Sequence, residues 1–378
     1  MGAEAVSAAD LDMEGFARLV AAGCPSSWQA RIVRLSPGDR NRFTACCREQ
    51  HIVQIDTIER QLSDLAQARF PAASSAERDQ FVADAMAAAG DAVAVGAWAY
   101  LPWQVMVVHL LDRDEYFEVI TNRNRDKITR AEQERLRTKR VAVLGLSVGG
   151  ECAVTVAQEH LCGEIVLADF DRLDLSNLNR LQAGIDELGL RKTTIVARRI
   201  ARIDPYLTVT VFEDGVTSSN LGTFLAGLDL LIEECDGLPV KHEVRLQARA
   251  LEVNVVYAAD ERGFLSVEPY AHWPTLRPFH GLVETPPLPR KRYPTSIAFM
   301  KALTEWMGGW SNISERSQHS LACVGETLCG YPQLASEARY AAGQIGHVAR
   351  RLLLGERLQP FVGNLDLAQY LPAEGADA

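Results

Sequence analysis

The residues from Arg140 to Arg180 constrain this chain more than any other stretch. They run through an apolar segment, Val141-Ala142-Val143-Leu144, a glycine-rich turn, Gly145-Leu146-Ser147-Val148-Gly149-Gly150, and a helical pattern. A second apolar segment, Ile165-Val166-Leu167-Ala168, then ends at Asp169. This order predicts the first half of a nucleotide-binding βαβ unit, with an acid about 20 residues beyond the glycines. Just past the second strand, Asp169-Phe170-Asp171-Arg172-Leu173-Asp174-Leu175-Ser176-Asn177-Leu178-Asn179-Arg180 sets acids, an amide and an arginine at the strand tip. Open α/β sheets bind their ligands at such tips.

The alternation continues to about residue 270. A helix opens at Arg191-Lys192 and stops at Asp204-Pro205, and strands are expected over 207–212, 228–233, 254–258 and 263–267. Alternating strands and helices predict an α/β fold with a Rossmann-like, mostly parallel, doubly wound sheet. Glu234-Cys235-Asp236-Gly237 then reaches the same carboxyl edge as Asp169. At 378 residues the chain exceeds the roughly 250–300 at which single cores stop growing, and three regions are expected. Residues 1–121 form an α+β accessory region with a partner- or peptide-binding role, and 122–270 form the nucleotide-binding domain. Residues 271–378 form a proline- and aromatic-rich crossover, a closing helix from about Ala335 to Gly355, and an acidic tail.

In the accessory region, Phe43, Cys46, Cys47, Ile52, Ile55, Ile58, Leu62 and Leu65 recur at three- and four-residue spacings. This predicts one long amphipathic helix over 41–69. Ser74-Ser75-Ala76-Glu77 and Thr129-Arg130-Ala131-Glu132 are capping boxes, the first opening a helix that Gly90 ends. Strand-like runs follow at 92–98 and 104–111. The polar segment 121–128 reads as a linker.

Composition narrows the partners. A formal charge of -10 argues against nucleic acid or an anionic membrane as the main partner. The start, Met1-Gly2-Ala3-Glu4, lacks a signal-peptide pattern, and no apolar run reaches the roughly 20 residues of a membrane span. Cysteines are scattered at positions 24, 46, 47, 152, 162, 235, 323 and 329, which reads as reduced thiols of a cytoplasmic protein. There is no Cys-x-x-Cys, and zinc is not expected from the spacing of His319, Cys323 and Cys329.

Within the glycine-rich turn, Gly145 and Gly150 fit G-x-G-x-x-G, Ser147 replaces the second glycine, and Gly149 shares its role. The turn alone fits NAD, FAD, ATP or S-adenosylmethionine sites. The residues around it are more specific. Asp169 suits a ribose diol, with Asp171 beside it at the nucleotide and Asp174 capping the loop. Asn177, Arg180 and Lys192 supply an amide and two cations for a triphosphate and its pyrophosphate leaving group. Asp236 supplies an oxygen ligand for Mg²⁺.

The run LADFDRLDLSNLNR, the Arg191-Lys192 helix start, the ARRIARIDP stretch and LIEECDG resemble the ThiF/HesA/MoeB superfamily, the adenylating enzymes related to ubiquitin-activating enzymes. The resemblance covers about residues 122–270. It implies ATP·Mg²⁺ as the nucleotide, activation of a carboxylate as an acyl-adenylate with release of pyrophosphate, and a homodimer. The carboxylate would belong to a carrier protein, a ribosomally made peptide or a small molecule, and amide formation, cyclisation or dehydration would follow. Carried over, Asp169 holds the ribose, Asn177, Arg180 and Lys192 the phosphates, and Asp236 the metal and the reaction geometry. Arg125, with Arg123 as second choice, stands where the family has an arginine that reaches the neighbouring subunit's phosphates. The sequence departs from the family at Ser147, in lacking the paired Cys-x-x-Cys ligands, and in having no cysteine in a nucleophile context. Two rival readings use the same fold: a catalytically silent dimeric scaffold, and a NAD- or FAD-dependent oxidoreductase.

Overall fold

The computed structural model describes residues 4–5, 10–23, 28–283 and 290–371. Cys24, the proline-rich 284–289, the start at Met1 to Ala3 and the end of the acidic tail, 372–378, lie outside the described residues. The chain divides into two compact units: one of Met1–Ala5, Glu134–Val196 and Val209–Ala378, the other of Val6–Gln133 and Ala197–Thr208.

The first unit is built on an eight-stranded sheet of β1 (Glu4–Ala5), β2 (Arg140–Leu144), β3 (Glu164–Ala168), β4 (Thr208–Phe212), β5 (Leu230–Glu233), β6 (Asn254–Ala258), β7 (Phe264–Glu268) and β8 (Phe361–Asn364). Their order is β1-β4-β3-β2-β5-β6-β7-β8. β3, β2, β5 and β6 run parallel, whereas β7 and β8 return antiparallel at one edge and β1 pairs antiparallel with β4. The parallel strands are apolar runs buried on both faces, as a covered sheet requires; Val141, Val143, Ile165, Leu167, Leu230 and Ile232 are fully buried.

Helix α1 (Val148–Gln158) follows the glycine-rich turn, α2 (Lys192–Ile203) follows the strand-tip loop, and α3 (Leu238–Ala250) follows Asp236. The crossover carries two helices that the sequence reading passed over, α4 (Ser296–Thr304) and α5 (Glu315–Cys323). Their starts are nevertheless written locally. Thr295 Oγ accepts from Ala298 N, and Ser314 Oγ from Ser317 N, the N-cap role that favours Ser and Thr. The closing helix, α6 (Ala335–Leu353), lies where it was expected.

The second unit holds a four-stranded sheet ordered Arg31–Val33, Ala97–Leu101, Met106–Leu110, Val53–Ile55. The capping box at Ser74 and Glu77 starts the helix Ser75–Ala88 as expected. The single long helix over 41–69 does not exist. Arg40–Glu49 and Ile58–Arg69 are separate helices with the strand Val53–Ile55 between them. The chain turns at His51, whose φ is 54°. The helical spacing arose from two cores in succession: Phe43, Cys47 and Ile52 join Phe16, Trp98 and Tyr100, whereas Ile58, Leu62 and Leu65 join Val95 and Leu111.

Candidate active site

Every parallel strand at the centre of the first unit ends in acidic or small residues at one edge, and there a polar cavity of about 500 Å³ opens. It is lined among others by Ser147, Asp171, Asn177, Arg180, Lys192 and Asp236. These six came from four separate stretches of sequence, and the fold brings them to one place.

The glycines serve the turn more than the cavity. Gly145 has φ of 85°, and a Cβ there would lie 2.6 Å from the carbonyl of Glu234; a Cβ on Gly149 would meet Glu234 Cβ at 3.1 Å, and one on Gly150 would meet Val196 Cγ2 at 3.1 Å. The turn therefore closes on the β5 tip and on α2, which only glycine permits at Gly145. Ser147 has φ of -75°, so its backbone needs no glycine. Its Oγ accepts a long hydrogen bond, 3.4 Å, from Arg180 Nε, which ties the turn to the strand-tip loop.

Asp169 is 8% exposed. Its Oδ2 accepts from Leu146 N at 2.6 Å and its Oδ1 from Asp171 N at 2.7 Å, so the carboxylate braces both loops and offers a ribose only its remaining lone pairs. Lys192 Nζ bonds Asp171 Oδ2 at 2.8 Å. That pair holds the lysine at the cavity, and a phosphate would share the cation with Asp171. Asn177 Oδ1 accepts from Asp174 N at 3.1 Å; the amide nitrogen remains for a ligand. Arg180 Nη1 bonds Asn179 Oδ1 at 2.9 Å and Ser176 O at 3.3 Å. Its guanidinium is anchored yet half-exposed, and burial lowers its pKa from the ordinary value while Asp260 and Asp236 act the other way.

Three carboxyls in the cavity are held above the usual range. Desolvation raises Asp236 against the pull of Lys241 and Lys192, and desolvation raises Glu234 well above its ordinary value. Desolvation also brings Asp260 up to about 6, although Gln333 and Arg180 favour its charge. Among the described residues no group of three or more His, Cys, Asp or Glu is arranged to hold a metal alone. Magnesium fits this donor set as an ion shared with phosphate, since it is ordinarily bound by one or two carboxylates plus phosphate and water. Crowded, desolvated carboxyls are what a cation would relieve.

Three contributors were missed by sequence reasoning. Asp260 follows β6 as Asp169 and Asp236 follow β3 and β5, and that repetition was its signal. Phe170, 71% exposed and lining the cavity, offers a flat apolar face for a base. Gln333 comes from the crossover, and no local pattern marks it. Arg123 and Arg125 belong to the second unit. Arg125 is exposed at the end of a 3-10 turn over Asn122–Asn124.

The profile of the ThiF family matches residues 121–267. These residues form a ThiF-family domain. The chain is 40% identical over 277 residues to an uncharacterized protein of Mycobacterium tuberculosis (strain CDC 1551 / Oshkosh), covering 72% of this chain and 38% of that one. It is 28% identical over 124 residues to the tRNA threonylcarbamoyladenosine dehydratase of Haemophilus influenzae, covering 32% and 48%. Over 98 residues it is 38% identical to ubiquitin-like modifier-activating enzyme 5 of Drosophila ananassae, covering 25% and 24%. The chain thus spans less than half the length of each of these relatives. Among solved structures, the Escherichia coli tRNA N6-threonylcarbamoyladenosine dehydratase is similar at a TM-score of 0.42 and 17% identity, over 60% of this chain and 89% of that one. No helix among the described residues is long and apolar enough to cross a membrane.

Proposed function

We propose that the chain binds ATP·Mg²⁺ in the polar cavity of its ThiF domain and adenylates a carboxylate. The observation that carries this is the convergence of Arg180, Lys192, Asn177 and Asp236 on one cavity beneath the glycine-rich turn. Membership of the ThiF family and the printed activities of relatives, an activating enzyme and a dehydratase, support it.

In this reading the base lies against Phe170 and the ribose near Asp169. Lys192 and Asn177 bind the phosphates, and Arg180 neutralises charge that gathers on the departing pyrophosphate. Such charge stabilisation by a fixed donor is worth about 10²–10³ in rate. Asp236 would hold Mg²⁺, which would supply neutralisation of the phosphate charge. A carboxylate oxygen forms a bond to the α-phosphorus as the bond from that phosphorus to the pyrophosphate oxygen breaks, giving an acyl-adenylate. No proton moves in this step. The acceptor carboxylate comes from a carrier protein, a peptide or a small molecule.

Arg125, exposed on the second unit, is assigned to a neighbouring copy's phosphates in a homodimer. Arg125→Ala should weaken ATP binding without changing the mass in solution, and unaltered affinity contradicts that role. The test of the main reading is nucleotide binding and ATP–pyrophosphate exchange in Asp236→Ala and Arg180→Ala. Both variants should fold, Asp236→Ala should lose the magnesium dependence of binding, and Arg180→Ala should lose exchange; full exchange in both would sink the reading.

A further inference from the structure

A second cavity of about 340 Å³ adjoins the first, and nucleotide binding gives it no role. Its apolar wall is Phe299, Met300, Leu303, Met307, Ile313 and Leu321, contributed by α4, α5 and the segment between them. The two cavities share Arg180, Asp236, Tyr257, Ala259, Asp260 and Gln333. An apolar chamber therefore opens onto a neck that carries one cation and two acids, at the end where the α-phosphate of a bound nucleotide would face a substrate.

Asp260 is the group at the neck that the chain leaves incomplete. It is 8% exposed, and its Oδ2 makes no hydrogen bond among the described residues. Buried polar atoms are nearly always paired, and one that is not calls for a ligand or solvent explanation. The neighbouring acid differs. Glu261 accepts from Ser314 N at 2.8 Å, from Tyr331 OH at 2.8 Å and from Ser317 Oγ, so its carboxylate is spent in holding the crossover onto β6. Asp260 thus differs from Glu261 in keeping a buried oxygen open to a donor from outside.

The size of the chamber limits what enters. At about 340 Å³ it stands at the lower end of ligand pockets, which run from about 300 to 1,000 Å³. It accommodates one residue-sized group and not the surface of a folded protein.

We propose that the acid adenylated by this chain is an α-amino acid or a carboxyl-terminal peptide residue with a large apolar side chain. The side chain fills the chamber, the α-nitrogen donates to Asp260 Oδ2, and the carboxylate lies toward the α-phosphate, on the side away from the departing pyrophosphate. The inference rests on the adenylation reading above and narrows its substrate. The nitrogen is a free ammonium in an amino acid and an amide N–H in a peptide, and both are donors to the same oxygen.

The test is ATP–pyrophosphate exchange by the full chain with Mg²⁺ and one acid at a time: leucine, glycine, 4-methylpentanoate (leucine without its nitrogen), and the tripeptide Gly-Gly-Leu. Leucine or the tripeptide should drive exchange, and which of them does so identifies the source. Glycine, lacking the apolar group, and 4-methylpentanoate, lacking the donor, should each fall about 10- to 100-fold lower in kcat/KM. Asp260→Asn should raise KM for the driving acid about 10-fold, and Leu303→Trp, which lies outside the nucleotide cavity, should block leucine while sparing ATP. Equal exchange with glycine and leucine overturns the side-chain pocket, and equal exchange with 4-methylpentanoate overturns the role of Asp260. Calorimetric titration of ATP·Mg²⁺ on the same preparation separates the two levels of inference. Binding without exchange from any of the four acids overturns this proposal alone, whereas absence of binding overturns the adenylation reading beneath it.

Discussion

Asp260, the acid proposed to receive the substrate nitrogen, sits where burial of its carboxyl costs stability. Its carboxyl is raised from 3.8 to about 6 by burial, so between these values the folded chain keeps a proton that the unfolded chain has lost. Stability contributed by this group is therefore present below about pH 4 and declines as pH rises through about 6. Two pH units correspond to about 3 kcal/mol. Asp260→Asn should accordingly stabilise the protein by up to about 3 kcal/mol at pH 7.5, with the gain shrinking to nothing near pH 4; denaturant unfolding at both pH values checks this. A gain that is the same at both would mean that burial does not raise this carboxyl. Asp169 teaches the opposite lesson at the same scale. It was legible as a strand-tip acid, but its two backbone bonds to Leu146 and Asp171 depend on the closed turn and could not be read from spacing.

Among the elements, the glycine-rich turn and the α3 helix are each locked by a specific contact. Gly145→Ala would combine a φ of 85° with a Cβ 2.6 Å from the Glu234 carbonyl, and should cost on the order of 1–3 kcal/mol, seen as a lower urea midpoint. An unchanged midpoint would show that the turn can move off the β5 tip. Beneath the site, Arg245 is fully buried and bridges Glu233 to Glu268, with Lys241 Nζ 3.1 Å from both Glu233 oxygens and Tyr270 OH on Glu268 at 2.7 Å. Burial alone would raise Glu233, but Lys241 and Arg245 bring it down to about 2. Arg245→Ala leaves two acids buried beside one lysine and should destabilise by about 3–5 kcal/mol, measured by the same unfolding experiment; a loss below about 1 kcal/mol would mean water replaces the guanidinium. The βαβ elements were legible because apolar runs, glycines and strand-tip acids are local signals. The break at His51 was not, because two cores in sequence mimic one helical face. The chamber of α4 and α5 was hidden too, since its apolar residues meet only through long-range packing.

For the whole molecule, the ThiF-like stretch was more legible in the sequence than the place where the compact units divide. The ThiF match begins at residue 121, while the second unit runs on to Gln133 and takes in Ala197–Thr208, a boundary that depends on contacts and not on composition. The claim on which the rest depends is that this fold carries ATP chemistry and not dinucleotide chemistry. The direct measurement is calorimetric titration of the purified protein with ATP·Mg²⁺ and, separately, with NAD⁺. A site with Kd near 100 μM, saturated at millimolar nucleotide, also stabilises the native state by about 1–2 kcal/mol through mass action. The account predicts that ATP·Mg²⁺ binds, that Asp236→Ala removes the magnesium dependence, and that NAD⁺ gives no heat beyond dilution. Binding of NAD⁺ alone, or of neither nucleotide, would contradict it.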